Sequence, residues 1–162
     1  MGAGKTTLGK KLANKLGYTF YDLDKAFEHK YKTSVDLFFL KYGEEVFRKL
    51  EHELLVSTFS FENTIISTGG GTPCFFDGMN LINQHGTSVY IRLSPEAIYH
   101  RLTAAKKRRP LVDKKSEDDL RQFINQKMKE REHYYNQANI IISGISPKAD
   151  DIIQIIRSGE NY

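Results

Sequence analysis

Met1-Gly2-Ala3-Gly4-Lys5-Thr6-Thr7 opens the chain, and an amphipathic run follows it directly. Gly-x-Gly-Lys-Thr at the head of a helix reads as the second half of a phosphate-binding loop. Glycines let backbone N–H groups converge on a polyphosphate, because no β-carbon blocks the approach. The helix that follows adds unpaired N–H groups and the positive end of its dipole. Lys5 supplies a charge that reaches the β- and γ-phosphates, and the Thr6 hydroxyl is placed for Mg²⁺.

The complete pattern is G-x-x-x-x-G-K-[ST]. Its first glycine would stand two places before Met1, preceded by the buried strand that feeds such loops. The sequence therefore predicts an upstream start, with Met1 an internal methionine. A chance match to the short fragment is the competing reading, so the rest of the chain has to decide.

Downstream, hydrophobic periodicity and punctuation predict alternating strands and helices. Thr6 to Leu16 reads as a helix stopped by Gly17, and Tyr18 to Tyr21 as a strand ending in Asp22-Leu23-Asp24. Helices follow near Lys25–Lys30, after the N-cap Ser34, and from Glu44 to about Phe59. Thr64–Ser67 and Ser88–Leu93 read as strands, with a helix between them over roughly Gly78–Gln84. Ser94-Pro95 opens another helix, 108–116 reads as a loop, and Glu117–Asn136 as a long helix. Ile140–Ile142 is a fourth strand, and Pro147–Arg157 a closing helix.

This order implies right-handed crossovers and a parallel sheet covered on both faces. Four strands are visible, and the loop asks for one more. The expected fold is a three-layer α/β/α domain with a parallel five-stranded sheet, its first, central strand missing from this chain. Ligands in such sheets sit at the carboxyl ends of the strands, where three motifs fall. Asp22-x-Asp24 places two carboxylates two residues apart on a strand, so both side chains point the same way and face one site. They suit Mg²⁺ support and hydroxyl activation, or else form a solvated turn. Gly69-Gly70-Gly71 suits close approach of backbone to a ligand, or a plain turn. Arg48, Arg109 and Arg131 suit bidentate capture of carboxylate or phosphate, or are surface charges. Lys30, Lys41 and Lys49 read as solvated face.

At 162 residues the chain forms one domain. It carries no apolar run of membrane-spanning length and no signal-peptide pattern. Its single cysteine, Cys74, excludes an internal disulfide framework, fits a reducing compartment and reads as an incidental thiol. The net charge of +4 is concentrated around Lys106–Arg109 and Lys114-Lys115. That balance suits nucleic acid or, equally, small anionic substrates, and no aromatic-basic interleaving of an RNA-binding type accompanies it.

Taken in order, Met-Gly-Ala-Gly-Lys-Thr-Thr, Phe-Tyr-Asp-Leu-Asp, Gly-Glu-Glu-Val-Phe-Arg, Ser-Thr-Gly-Gly-Gly-Thr, Arg-Arg-Pro-Leu and Glu-Arg-x-x-Tyr-Tyr resemble the shikimate kinase family. The resemblance runs from the first residue to the last helix. It implies a P-loop NTPase fold of the nucleoside-monophosphate-kinase type, and transfer of the ATP γ-phosphate to the 3-hydroxyl of shikimate. By motif, Gly2, Ala3, Gly4, Lys5, Thr6 and Thr7 would cradle the nucleotide phosphates. Lys5 would act on the transferring group, Thr6 on Mg²⁺, and Asp22 on Mg²⁺ through water. Asp24 would bind shikimate hydroxyls and act as base, and Arg48 with Arg131 would clamp the carboxylate. Gly69, Gly70 and Gly71 would form the substrate-side loop, with Gly70 the direct contact. Arg109 would close with the lid on ATP, and Arg101, a looser match, would pack near the adenine. Where the family often shows Pro-Leu-Tyr, this chain has His133-Tyr134-Tyr135, which keeps the tyrosine spacing.

The resemblance thus implies a single kinase domain over residues 1–162, with substrate-binding helices at about 25–60 and a lid at about 108–116. The expected partners are ATP and shikimate, with Mg²⁺ as cofactor. No nucleic acid or membrane is expected, and the protein would work as a cytoplasmic monomer in chorismate biosynthesis. Competing readings are another small-molecule kinase of the same fold, a nucleotide-binding module without chemistry, and an RNA-binding protein.

Overall fold

A computed structural model of the chain describes residues 2–104, 116–144 and 147–158. In order the elements are α1 (Lys5–Leu16), β1 (Thr19–Asp22), α2 (Leu23–Tyr31), α3 (Val35–Ser57) and β2 (Thr64–Ser67). A 3₁₀ turn (Thr72–Cys74) and α4 (Gly78–His85) lead to β3 (Val89–Arg92). The chain closes with α5 (Pro95–Thr103), α6 (Glu117–Tyr135), β4 (Ile140–Ser143) and α7 (Ala149–Ser158).

Local chemistry accounts for most boundaries. Ser34, Ser94 and Ser116 each accept a backbone N–H three residues on, at 3.3, 3.2 and 3.2 Å. The two helices expected between Ser34 and Phe59 run on from each other as α3, which breaks at Gly43 (φ 81, ψ 168). One expectation needs correcting. Asp22 and Asp24 do not share a strand, because Asp22 ends β1 and caps α2, accepting the Lys25 N–H at 3.2 Å. Asp24 therefore lies in the first turn of α2. Helix geometry, and not strand alternation, sets its direction.

The strands form two parallel pairs and not one continuous sheet. β1 pairs with β2, from Thr19 opposite Thr64 to Asp22 opposite Ser67. β3 pairs with β4, from Val89 opposite Ile140 to Arg92 opposite Ser143. Among the described residues neither β2 nor β3 has a second ladder partner. A cavity of about 350 Å³ touches both, lined by Ile65 and Ile66 on one side and by Val89 and Ile91 on the other.

Helix α1 ties the halves together. Its Leu8 and Leu12 share a core with Ile65 of β2, Val89 and Ile91 of β3, and Ile152 and Ile153 of α7. Packing of α2 on α3 builds a second core, in which Phe27 meets Phe38 edge-on at 5.0 Å and Phe47 at 4.7 Å. Leu93, Ile98, Leu102, Leu120 and Ile124 join α5 to α6 in a third. These layers bring α1, the start of α2, the middle of α3, the glycine loop after β2 and the end of α6 to one region.

Candidate active site at the strand ends

Gly2 and Gly4 both take left-handed conformations, at φ 61 and 81. Gly4 is the N-cap of α1, with no side-chain cap and no acidic residue in the first turn. The first amides of α1 are thus presented to whatever lies in front of them, which favours an anion. Ala3 packs beneath the loop into two cores, and Thr7 is exposed on the first turn of α1. Arg101 closes the loop from the side, donating from Nη1 to the Gly2 carbonyl at 3.3 Å. The guanidinium adds positive charge beside the loop.

Two carboxylates meet this loop. Asp22 accepts from the Thr6 hydroxyl at 3.0 Å, which joins the two groups predicted to serve a metal. Asp24 stands at the open mouth of the site, but its carboxylate is crowded. Desolvation raises its pKa first, and the negative charge of Glu51 adds to the rise. Lys5 pulls in the opposite direction, so the loop lysine and Asp24 share one electrostatic neighbourhood.

Arg48 is buried, at 7% exposure. Its Nη1 donates to Glu51 Oε2 at 2.6 Å, while Nε and Nη2 donate to Glu44 Oε1 at 3.1 and 2.9 Å. The guanidinium also stands 4.6 Å from the Phe75 ring centroid and 5.1 Å from that of Phe47. Glu51 is itself buried, and its Oε1 accepts from the Thr72 hydroxyl at 2.7 Å. Arg131, near the end of α6, points to the same turn: its charge and that of Arg48 both act on Cys74. Burial pushes the Cys74 thiol up, as expected of an inert sulfur.

The three glycines now have separate reasons. A β-carbon on Gly69 would stand 2.6 Å from Glu51 Oε1 and 2.9 Å from Asp24 Oδ1. On Gly71 it would collide with the Arg48 guanidinium. Gly70 offers its carbonyl to the Tyr135 hydroxyl. Loop and charges approach this closely only because no side chain intervenes.

Most of the predicted residues therefore gather in one place: Gly2 to Thr6, Asp22, Asp24, Arg48, Gly69 to Gly71 and Arg131. Arg109 and all of the predicted lid except Ser116 lie outside the described residues. Lys30 and Lys41 lie over neighbouring tyrosine rings, and Lys49 pairs with Glu45 on the surface. Sequence reasoning missed Glu51 and Thr72. Glu51 had a readable signal, being three residues after Arg48 on a helix, where opposite charges meet. Thr72 had none, since its partner is 21 residues away.

The donor set suits a hard cation. Thr6 and Asp22 offer hydroxyl and carboxylate oxygens beside a phosphate-binding loop, and Mg²⁺ typically takes one or two such ligands plus phosphates and waters. Among the described residues no group of three or more His, Cys, Asp or Glu could hold a metal alone. An anion-binding helix start, a carboxylate within reach of the loop lysine's field and a buried arginine beyond it define a P-loop phosphotransferase class.

Comparison with known proteins narrows that class. The sequence profile of shikimate kinase matches residues 1–158. A shikimate kinase of Bacteroides fragilis is 44% identical over 155 residues, covering 96% of this chain and 86% of that protein. The crystal structure of shikimate kinase from Bacteroides thetaiotaomicron is similar at a TM-score of 0.91 and 39% identity, covering 98% of this chain and 92% of that one. Shikimate kinase from Acinetobacter baumannii, solved in complex with shikimate, has a TM-score of 0.88 at 31% identity, covering 100% and 91%. This chain belongs to the shikimate kinase family.

Proposed function

We infer that this site transfers the γ-phosphate of ATP to the 3-hydroxyl of shikimate, giving shikimate 3-phosphate and ADP for aromatic amino acid biosynthesis. One observation carries the residue assignment. A β-carbon on Gly69 would strike Asp24 and Glu51, and one on Gly71, two residues on, would strike Arg48. A hydroxyl-activating group and an acid-binding group thereby flank one loop, as an acidic alcohol requires.

Gly2 to Thr7 cradle the phosphates. Lys5 neutralises charge on the transferring group. Thr6 and, through water, Asp22 would hold Mg²⁺, which when bound neutralises phosphate charge. Asp24 binds the acceptor hydroxyls and takes the proton as the oxygen attacks. Its raised pKa moves it toward the range where a base works well near neutrality. Arg48 and Arg131 hold the carboxylate, with Gly69, Gly70 and Gly71 forming the floor beneath. The lid at about 108–116 excludes water and brings Arg109 to the phosphates, since an open site would hydrolyse ATP.

The same reading has residues 1–162 act as one kinase domain, a monomer of the cytoplasm, with no nucleic-acid or membrane partner. It also completes the sheet with a fifth parallel strand between β2 and β3. The open ladder edges and the apolar cavity between the pairs support that strand.

ADP release coupled to shikimate addition tests the activity. Shikimate-dependent turnover, with no comparable turnover on gluconate or a nucleoside monophosphate, is the expected result. ADP release indifferent to shikimate overturns the reading. Arg48→Ala should raise the shikimate KM with little change in that for ATP, and an unchanged shikimate KM would remove the clamp.

A further inference from the structure

Tyr135 ends α6, one helical turn after Arg131, and i,i+4 residues share a helix face. Its hydroxyl donates to the carbonyl of Gly70. Its ring rests on Tyr90 of β3, with centroids 5.0 Å apart at 39°. Arg131, Tyr135, Gly69 and Gly70 line the same cavity. The phenol thus stands where α6, β3 and the glycine loop meet.

Arg131 differs from Arg48 in how it is held. Arg48 is fixed by Glu44 and Glu51. Among the described residues no carboxylate lies within ion-pair distance of Arg131. Burial raises the Tyr135 pKa, and the positive charge of Arg131 opposes the rise. The hydroxyl proton is committed to Gly70, which ties the end of α6, and with it the turn that carries Arg131, to the glycine loop. A neutral phenol has a consequence that a carboxylate would not. It fixes the helix turn that carries the arginine without neutralising the guanidinium, and so does not compete with an incoming carboxylate.

We propose that Tyr135 is a positioning residue that links Arg131 to the Gly70 peptide, so that the carboxylate-binding arginine and the substrate loop keep one register. The proposal rests on the reading of Arg131 as half of the carboxylate clamp. It makes Tyr135 act on the acid substrate through Arg131 and leaves the nucleotide side alone.

The test is a double-mutant cycle of Tyr135→Phe and Arg131→Ala, with KM for shikimate and for ATP, kcat and Tm measured on each protein. Phenylalanine keeps the ring against Tyr90 and removes only the hydroxyl. Tyr135→Phe should raise the shikimate KM about fivefold, the usual effect of losing a hydrogen bond between neutral groups, with ATP KM unchanged. In the Arg131→Ala background the same change should move the shikimate KM less than about twofold, since coupled residues are not additive. Equal effects in both backgrounds, or parallel rises in both KM values, overturn the proposal and leave the clamp standing. If Arg131→Ala alone leaves the shikimate KM unchanged, the clamp assignment falls and the proposal with it. Should Tyr135→Phe unfold, Tyr90→Leu disturbs the ring but keeps the hydroxyl. It should then leave the shikimate KM within about twofold, and a rise of about fivefold would overturn the proposal.

Discussion

Glu51 holds Arg48 from one turn along the same helix, at 2.6 Å, with the two side chains only 4% and 8% exposed. A buried pair of this kind adds little stability in itself, but loss of one partner strands the other charge. Glu51→Gln keeps the shape and can still accept from Thr72. It should raise the shikimate KM by about tenfold, because Arg48 loses a charged partner. It should also lower the Asp24 pKa, since Glu51 is the second contributor to its rise. The acid limb of kcat/KM should then move to lower pH. A limb that stays in place or moves upward would separate Glu51 from Asp24.

Gly71→Ala puts a β-carbon onto the Arg48 guanidinium. The loop or the arginine must shift, and a displacement of about 1 Å near reacting groups costs about a hundredfold. The expected result is a loss of that order in kcat/KM for shikimate, with ATP affinity measured by calorimetry unchanged. Near-normal kinetics with shikimate would show that the loop and Arg48 can part without consequence.

Asp24→Asn should reduce kcat by about 10²–10⁴, the usual contribution of a general base, while ATP still binds. Its effect on stability depends on pH, with a definite sign. The folded pKa lies above the ordinary 3.8, so the unfolded chain ionises first as pH rises. Ionised Asp24 therefore lowers stability above its folded pKa, and that loss disappears below about pH 3.8. The asparagine protein should have the higher Tm at neutral pH, and the difference should vanish in acid. The gain should be small, because Asp24 is open to solvent and its charge is screened. Thermal melts across pH check both the sign and the window.

Thr6→Val removes the hydroxyl that donates to Asp22 at 3.0 Å and nearly preserves side-chain size. The Mg²⁺ concentration needed for half-maximal rate should rise about tenfold or more, as losses of groups supporting a metal commonly do. A titration curve matching the parent would take Thr6 out of the metal site.

The cavity between β2 and β3 makes a prediction about backbone pairing. On the proposal that a fifth parallel strand lies between β2 and β3, a fluorescent, Lys-capped octapeptide of alternating Val and Ile should bind saturably by anisotropy and raise Tm. The same peptide with proline at alternate positions loses the N–H donors facing one of the two ladders and should bind far more weakly. Equal binding of both peptides would mean that simple greasy adsorption, and not strand pairing, is at work.

Much of this protein was readable from neighbouring residues alone. The caps at Ser34, Ser94 and Ser116, the stop at Gly17 and the strand at Thr64–Ser67 depend on groups a few positions apart, so local composition determines them. The phosphate loop was equally legible, because Gly4, Lys5 and Thr6 act through their own backbone and side chains. The site itself was legible as a set of candidates and not as an arrangement. That Asp24 leaves the strand follows from the capping bond of Asp22. That Gly69 faces Asp24 and Glu51, that Gly71 faces Arg48 and that Gly70 answers Tyr135 are contacts across 18 to 65 positions. So is the division of the sheet into two pairs with a cavity between them. Such approaches depend on how helices and strands stack on one another, and that stacking is set by the cores around Leu12, Phe27 and Ile124. No local pattern encodes it, since each contact exists only when distant apolar faces have already met.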